Sequence, residues 1–278
     1  MRISSFIALF VLALSACQSP AVESAWIPPT PSNVIDGVEY VSGNWEPHLA
    51  AGDEGVSWGN HRAVVHVEDP STSSAQVVIP WRHLDTNPSE KAIVVVDATS
   101  GEAIPNAMAL NITAESGTVI FEPNAASGTY YVYFLPWEST GGYYPRISYP
   151  SSVIEPDSEW QPQTNASEGK TVRMESVNDF HSFFPMEIPA TLSETTRFTD
   201  GRDWIVIPEY GRLPISMRHN LPVHWTSRAS EDFTTQAYRD ESHAFQLGVF
   251  AASTALENID VQFSGFPNEL MNTLTCYN

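Results

Sequence analysis

From Asn60 onward the chain breaks into short apolar runs with turn residues between them, and nowhere does strand pattern alternate with helix pattern. The runs are HRAVVHVE (61–68), AQVVIPW (75–81), AIVVVD (92–97), AMALNI (107–112), TVIFE (118–122) and TYYVYFLP (129–136). Asp69-Pro70, Asn87-Pro88, Ser100-Gly101, Ser116-Gly117 and Ser127-Gly128 separate them. Short β-branched and aromatic runs at roughly 8–12-residue spacing predict an antiparallel sandwich. A second series, DWIVIPE (203–209), LPISMR (213–218), VHWTS (223–227), HAFQLGVFAA (243–252) and IDVQFSG (259–265), reads as a second sandwich. Doubly wound sheets and helix-clad barrels need the missing βα alternation.

In TYYVYF, Tyr130, Val132 and Phe134 alternate with Tyr131, Tyr133 and Leu135, so one set can face a core. Gly128-x-Tyr130 resembles a tyrosine corner of immunoglobulin-like sandwiches. Residues 137–170 are rich in Pro, Ser and Gly, long for a loop in a compact domain, and such loops usually connect or function. Val172, Met174, Val177 and Phe180 can line one side of a short helix that Pro185 and Pro189 would end.

The N-terminus, MRISSFIALFVLALSAC, has an early Arg2 and an apolar run too short to span a bilayer as an anchor. Leu14-Ser15-Ala16-Cys17 resembles a bacterial lipobox, which makes Cys17 the lipidated first residue of the mature chain. Gln18 in place of Asp resembles the sorting pattern of outer-membrane lipoproteins, so a lipid-anchored position in the bacterial envelope is expected. Residues 1–16 include one base, Arg2, and no acid, so their loss takes the formal charge from −20 to −21. That balance argues against nucleic acid as a partner. With Cys17 acylated, Cys276 has no partner in the chain and reads as a small buried hydrophobe.

The expected fold class is all-β: two antiparallel, immunoglobulin-like β-sandwich domains after a lipoprotein signal and a flexible tether. The expected boundaries are signal peptide 1–16, lipidated Cys and tether 17–57, first sandwich 58–155, connecting segment 156–200, and a truncated second sandwich 201–278.

Chemistry-bearing motifs are sparse. Glu46, Asp53, Glu54, Glu231, Asp232, Asp240 and Glu241 cannot be paired from sequence, and solvated surface acid is the default for each. His61 and His66, five apart in a strand, point to opposite faces and do not suit a shared metal. No nucleophile elbow, zinc-binding helix motif or phosphate loop is present, and no cofactor or metal is expected. Aromatic residues in loops are the better lead. Trp137, Tyr143, Tyr144 and Trp160 lie in the long 137–170 segment and are candidates for stacking on glycan rings; packing within the protein is the competing reading. In VVIPWRHLDTNP (77–88), Pro80 ends the strand and Asp85 to Pro88 turn the chain. Arg82 can fork onto a carboxylate or carbonyls, which suits an interface, but the plainer reading is preferred: a strand exit held by an Arg–Asp brace.

GNHRAVVHVE (59–68), IPWRHLDTNPSEKAIVVVDATSGE (79–102), GTYYVYFLP (128–136), FHSFFPMEIPAT (180–191) and YRDESHAFQLGVFAA (238–252), in that order, resemble the N-terminal β-region of bacterial proteins related to glycoside hydrolase family 123. The resemblance runs from Gly59 to the last residue. It implies β-sandwich modules preceding a (β/α)₈ barrel, where an adjacent Asp–Glu pair and the substrate's own 2-acetamido group hydrolyse β-linked N-acetylgalactosamine. No barrel is encoded in these 278 residues, so no catalytic residue carries over. The parent protein is then expected to be a β-N-acetylhexosaminidase-type hydrolase, and this chain alone inactive. Its expected partners are the catalytic barrel, the membrane through its lipid, and a glycan. Under this reading Trp81, Arg82 and Asp85 belong to the seam between the first sandwich and its neighbour, and Arg239, Asp240 and Glu241 brace the second. The alternatives are a stand-alone carbohydrate-binding lipoprotein and a purely structural surface protein.

Overall fold

The computed structural model describes residues 33–47, 56–70, 73–85, 87–124, 128–144, 146–150, 153–162, 166–177, 183, 187–215, 217–227, 233–236, 241–262, 264–265 and 273–276. The β-runs become β1 (Val34–Ile35), β2 (Val38–Ser42), β3 (His61–Val67), β4 (Ala75–Ile79), β5 (Val94–Asp97), β6 (Ala103–Ile104), β7 (Ala107–Leu110), β8 (Gly117–Phe121) and β9 (Thr129–Tyr133). After them come β10 (Glu138–Thr140), β11 (Arg146–Ser148), β12 (Ser167–Ser176), α1 (Leu192–Thr199), β13 (Trp204–Tyr210), α2 (Val223–Thr226) and β14 (Phe245–Ala251). The protein is predominantly β with mainly antiparallel pairing.

Ten strands form one hydrogen-bonded sheet, ordered β6-β5-β9-β3-β12-β4-β8-β7, with β2 beside β12 and β1 beside β2. Continuity runs through β12. Its first residues, Ser167 and Glu168, pair in parallel with β4, and residues 169–176 pair antiparallel with β3, with a bulge between Thr171 and Arg173. A bulge bends and twists a strand, and here the sheet folds over at that strand. Ala63, Val65, Val67, Tyr130 and Val132 on one side, and Ala75, Val77, Ile79, Val119 and Phe121 on the other, share one buried cluster. The alternation in β9 does what its sequence predicts: Tyr130, Val132 and Phe134 are fully buried in that core. Tyr133 packs on the opposite face with Val94 and Val96. The Tyr130 hydroxyl donates to the Asn124 carbonyl at 2.7 Å, the backward reach of a tyrosine corner.

Several sequence expectations change. Residues 34–42, inside the expected tether, form β1 and β2; Tyr40 is buried, and β2 pairs in parallel with β12. That part of the tether belongs to the folded unit. The expected helix face at 172–180 is strand as far as Ser176, because Met174 turns into the sandwich core while Arg173 stays outside. β12 itself falls in the expected connecting segment, so the sandwich extends past residue 155. The predicted strand at 223–227 is one helical turn: Pro222, with φ −60°, leads into α2, which carries Trp225 beneath β14. Residues 213–215 and 259–262 carry no strand. The described part of region 201–278 is a two-stranded antiparallel sheet, β13–β14, with α1 before it and α2 between its strands. Its inward side chains Ile205 and Ile207, with Leu213, Leu221 and Trp225, join the same buried cluster as the sandwich. Cys276 is exposed, which overturns its reading as a buried hydrophobe. Cys17 lies outside the described residues.

Each region seats a large indole against a glycine. A Cβ on Gly117 of β8 would fall inside the ring of Trp81, and one on Gly248 of β14 inside the ring of Trp225. Trp81 is fully buried, and its Nε1 donates to the Thr113 carbonyl at 2.8 Å, so the ring cannot swing aside freely. Gly117→Ala should therefore overpack the core and destabilise the protein by about 1–3 kcal/mol, read as a lower urea midpoint with an unchanged slope.

Candidate functional site

The segment leaving β4 sends three neighbouring side chains to three places. Trp81 turns into the sandwich and stacks on Phe134 with ring centroids 6.0 Å apart. Arg82 points the other way, toward the N-terminus of α1. Asp85 sits further along, under Lys91 and Tyr149, so the expected Arg–Asp brace gives way to separate partners: Glu194 and Asp36 for Arg82, Lys91 and Tyr149 for Asp85. Backbone bonds lay the segment along the 113–116 turn: Arg82 N–H donates to the Glu115 carbonyl and His83 N–H to that of Ala114, each at 2.9 Å. Arg82 has φ +43°, a left-handed conformation that a non-glycine residue adopts at a cost of about 1 kcal/mol.

Arg82 recovers that cost through its fork. Nη1 donates to Glu194 Oε2 at 2.7 Å and Nη2 to Oε1 at 3.0 Å, a bidentate pair. Nη1 also reaches the Pro189 carbonyl, and Nη2 reaches Asp36 in the β1–β2 turn, both at 3.3 Å. Glu194 is held from its own side as well. Thr191 and Glu194 form a capping box: Glu194 N–H donates to Thr191 Oγ1, and Thr191 N–H to Glu194 Oε2. Glu115, from the turn between β7 and β8, accepts from the Leu192 amide at 2.6 Å. Two carboxylates from different origins thus meet the positive end of α1. Burial raises the Glu194 pKa, but Arg82 and the Thr191 amide outweigh it and bring it down to about 2. Burial opposes charge on Arg82 too, and Glu194, Tyr40 and Asp36 more than offset it, so its pKa moves up.

A second polar cluster lies beside this one. The Lys91 ammonium is fully buried, bonded to Asp85 and, at 3.0 Å, to the Tyr149 hydroxyl, which in turn donates to Asp85. Burial pulls the Lys91 pKa down in spite of Asp85. Burial pushes Asp85 up, but the nearby His83 ring and hydrogen bonds from Lys91 and Tyr149 hold it well below the usual carboxylate range. His83 Nδ1 lies 3.1 Å from Asp85 Oδ1 yet off the line a full hydrogen bond needs, so Lys91 and Tyr149 are the firmer partners. On the outer face of the sandwich the Arg62 guanidinium lies over Tyr131 at 3.7 Å and Trp45 at 4.4 Å and pairs with Glu175 at 2.7 Å. Beside Trp45 is a recess of about 250 Å³ bordered by Ser42, Asn44 and Ser176.

The aromatic candidates separate. Tyr143 and Tyr144 stand at the tip of the β10–β11 hairpin, 91% and 84% exposed, edge to face at 4.9 Å. Trp137 is half-buried, its backbone bridged to Ser57, and Trp160 is half-buried where its amide closes a turn on Asp157. Glu241 is exposed; Arg239 and Asp240 lie outside the described residues. Sequence reasoning missed Glu194, Glu115, Lys91 and Tyr149. The one local signal was Thr191-x-x-Glu194, a capping-box pattern that marks a helix start.

Arg82→Ala leaves the half-buried Glu194 carboxylate without its cation and should lower unfolding free energy by about 2 kcal/mol. Arg82→Lys keeps charge but not the fork and should fall between wild type and Ala; urea denaturation ranks the three. The Glu194 pKa is depressed in the fold, from 4.5 to about 2. Its stabilisation is therefore complete above pH 4.5 and is lost as pH falls toward 2, and Glu194→Gln should flatten that part of the stability–pH curve.

Residues 54–183 match the family described as glycoside hydrolase 123, N-terminal domain. No curated protein matches the chain, and no solved structure does. The match spans β3 to β12 and the Arg82 segment; β1, β2 and everything from α1 onward lie outside it.

Proposed function

We propose that this chain, whose residues 54–183 match the glycoside hydrolase 123 N-terminal domain, is the non-catalytic accessory region of a secreted, lipid-anchored glycoside hydrolase. The substrate class is amino-sugar glycans of the N-acetylgalactosamine type, as the family resemblance implies. The observation that carries the accessory role is the Arg82–Glu194 fork, which ties the matched domain to α1 beyond it. A shared apolar cluster adds to that tie. A platform that orients a neighbouring catalytic domain needs this kind of stiff joint.

Three of the described acids fit the same reading. A glycosidase acid must keep its proton near neutrality, which requires a raised pKa. Asp85, Glu194 and Glu209 all shift down, each held by hydrogen-bonding partners. They are built to stay ionised and to brace structure.

The second reading is glycan binding by the chain alone. Tyr143 and Tyr144 favour it, because two exposed rings on a hairpin tip offer faces to a sugar. It predicts that Tyr143→Ala weakens binding of N-acetylgalactosamine oligosaccharides in calorimetry.

Purified chain should release no chromophore from a β-N-acetylgalactosaminide. Turnover that survives repurification and is lost in an Asp or Glu variant of this chain would overturn the accessory role. For the anchor, labelled palmitate should enter wild-type chain expressed in a Gram-negative host, and Cys17→Ala should abolish both the label and membrane fractionation.

A further inference from the structure

The sheet β13–β14 is largely apolar on both faces, the buried Glu209 on the inner one being hydrogen-bonded to Trp225. Its inner face carries Ile205 and Ile207 into the core, with Trp225 against Gly248. Cross-strand register places Trp204 opposite Ala251, Val206 opposite Val249 and Pro208 opposite Leu247 on the outer face. There Trp204 is 53% exposed, and Val206, Leu247 and Val249 are between 36% and 39% exposed. None of the outward-facing strand residues is charged. Among the described residues, its far end is covered, where Phe233 leans on Tyr210 at 4.8 Å and on Phe245 at 5.5 Å. An antiparallel sheet normally turns one face to water and makes that face polar. A sheet apolar on both sides sits between two layers, and contiguous exposed apolar surface marks an interaction site.

We infer that the outer face of β13–β14 is the docking surface for the catalytic domain of the hydrolase, which meets it with an uncharged apolar surface of its own. This rests on the accessory reading above. Three observations select that occupant. The two strands lie C-terminal to a domain that the family description itself places at the N-terminus of a glycoside hydrolase. The inner face of the same sheet belongs to the sandwich's buried cluster, so whatever docks outside is fixed relative to the sandwich. A second copy is disfavoured, because two chains of formal charge −20 repel one another on approach.

The test mixes the chain with a separately expressed catalytic domain of a glycoside hydrolase 123 enzyme and measures the complex by calorimetry and sedimentation. A one-to-one complex is expected, and Val249→Asp and Leu247→Asp should each weaken it at least about tenfold. Val78→Asp, at an exposed position on β4, should leave it unchanged. Thermal melts check each variant's fold, with Trp204→Ser as the replacement should either Asp variant unfold. A complex whose affinity none of the face variants alters would overturn this docking face and leave the accessory role standing. No complex at all would overturn both. Self-association, or binding to anionic lipid vesicles, that the same substitutions abolish would overturn the choice of occupant.

Discussion

The architecture depends on one guanidinium. Arg82 leaves the sandwich in a backbone conformation that arginine does not favour, and it is held there by a carboxylate fork, a carbonyl and a second acid. A buried charge that lost these partners would be costly, since desolvation rivals the Coulombic gain of the pair. Charge and capping are therefore coupled. Glu194 must be ionised to receive Arg82, and the same carboxylate closes the capping box on α1. The helix start, the strand exit and the turn at Asp36 are set by a single contact group.

The runs that became β3, β4, β5, β8 and β9 were legible because each carries its own apolar payload on one or both faces. β12 was not. Its sequence, SEGKTVRMES, buries Thr171, Glu175 and Ser176 alongside Met174, so its central position comes from neighbours that pair with it and not from its own hydrophobicity. β2 was hidden for a similar reason: two inward residues, Val38 and Tyr40, lie in a polar stretch that otherwise reads as tether. The second β-series misled at 223–227, where Pro222 and the need to bring Trp225 to Gly248 favoured a turn of helix over an extended run.

For the candidate site, sequence reasoning identified a fork-shaped donor at Arg82 but gave it an Asp of its own segment as acceptor, because Glu194 lies 112 residues downstream and nothing local links the two. Lys91 and Tyr149 were invisible for the same reason; a lysine drawn into an aromatic and acidic niche has no pattern along the chain. The exposed Tyr143–Tyr144 pair was legible, since Gly141-Gly142 and Pro145 bracket a hairpin tip whose residues have little to pack against.

The place of β12 in the sheet also bears on synthesis. Its partners on β2 and β3 are more than a hundred residues earlier, as Arg173 pairs with Glu39 and Ser176 with His61. A chain exported N-terminus first lets β3 meet β9 early, whereas β2 waits for residue 176 to emerge. Until then that flank of the growing domain presents bare strand edges, the kind of surface that chaperones shield and neighbouring chains exploit. Closing so distant a pairing is slow, which makes the interval between those two moments the period when a newborn copy is most vulnerable to misassembly.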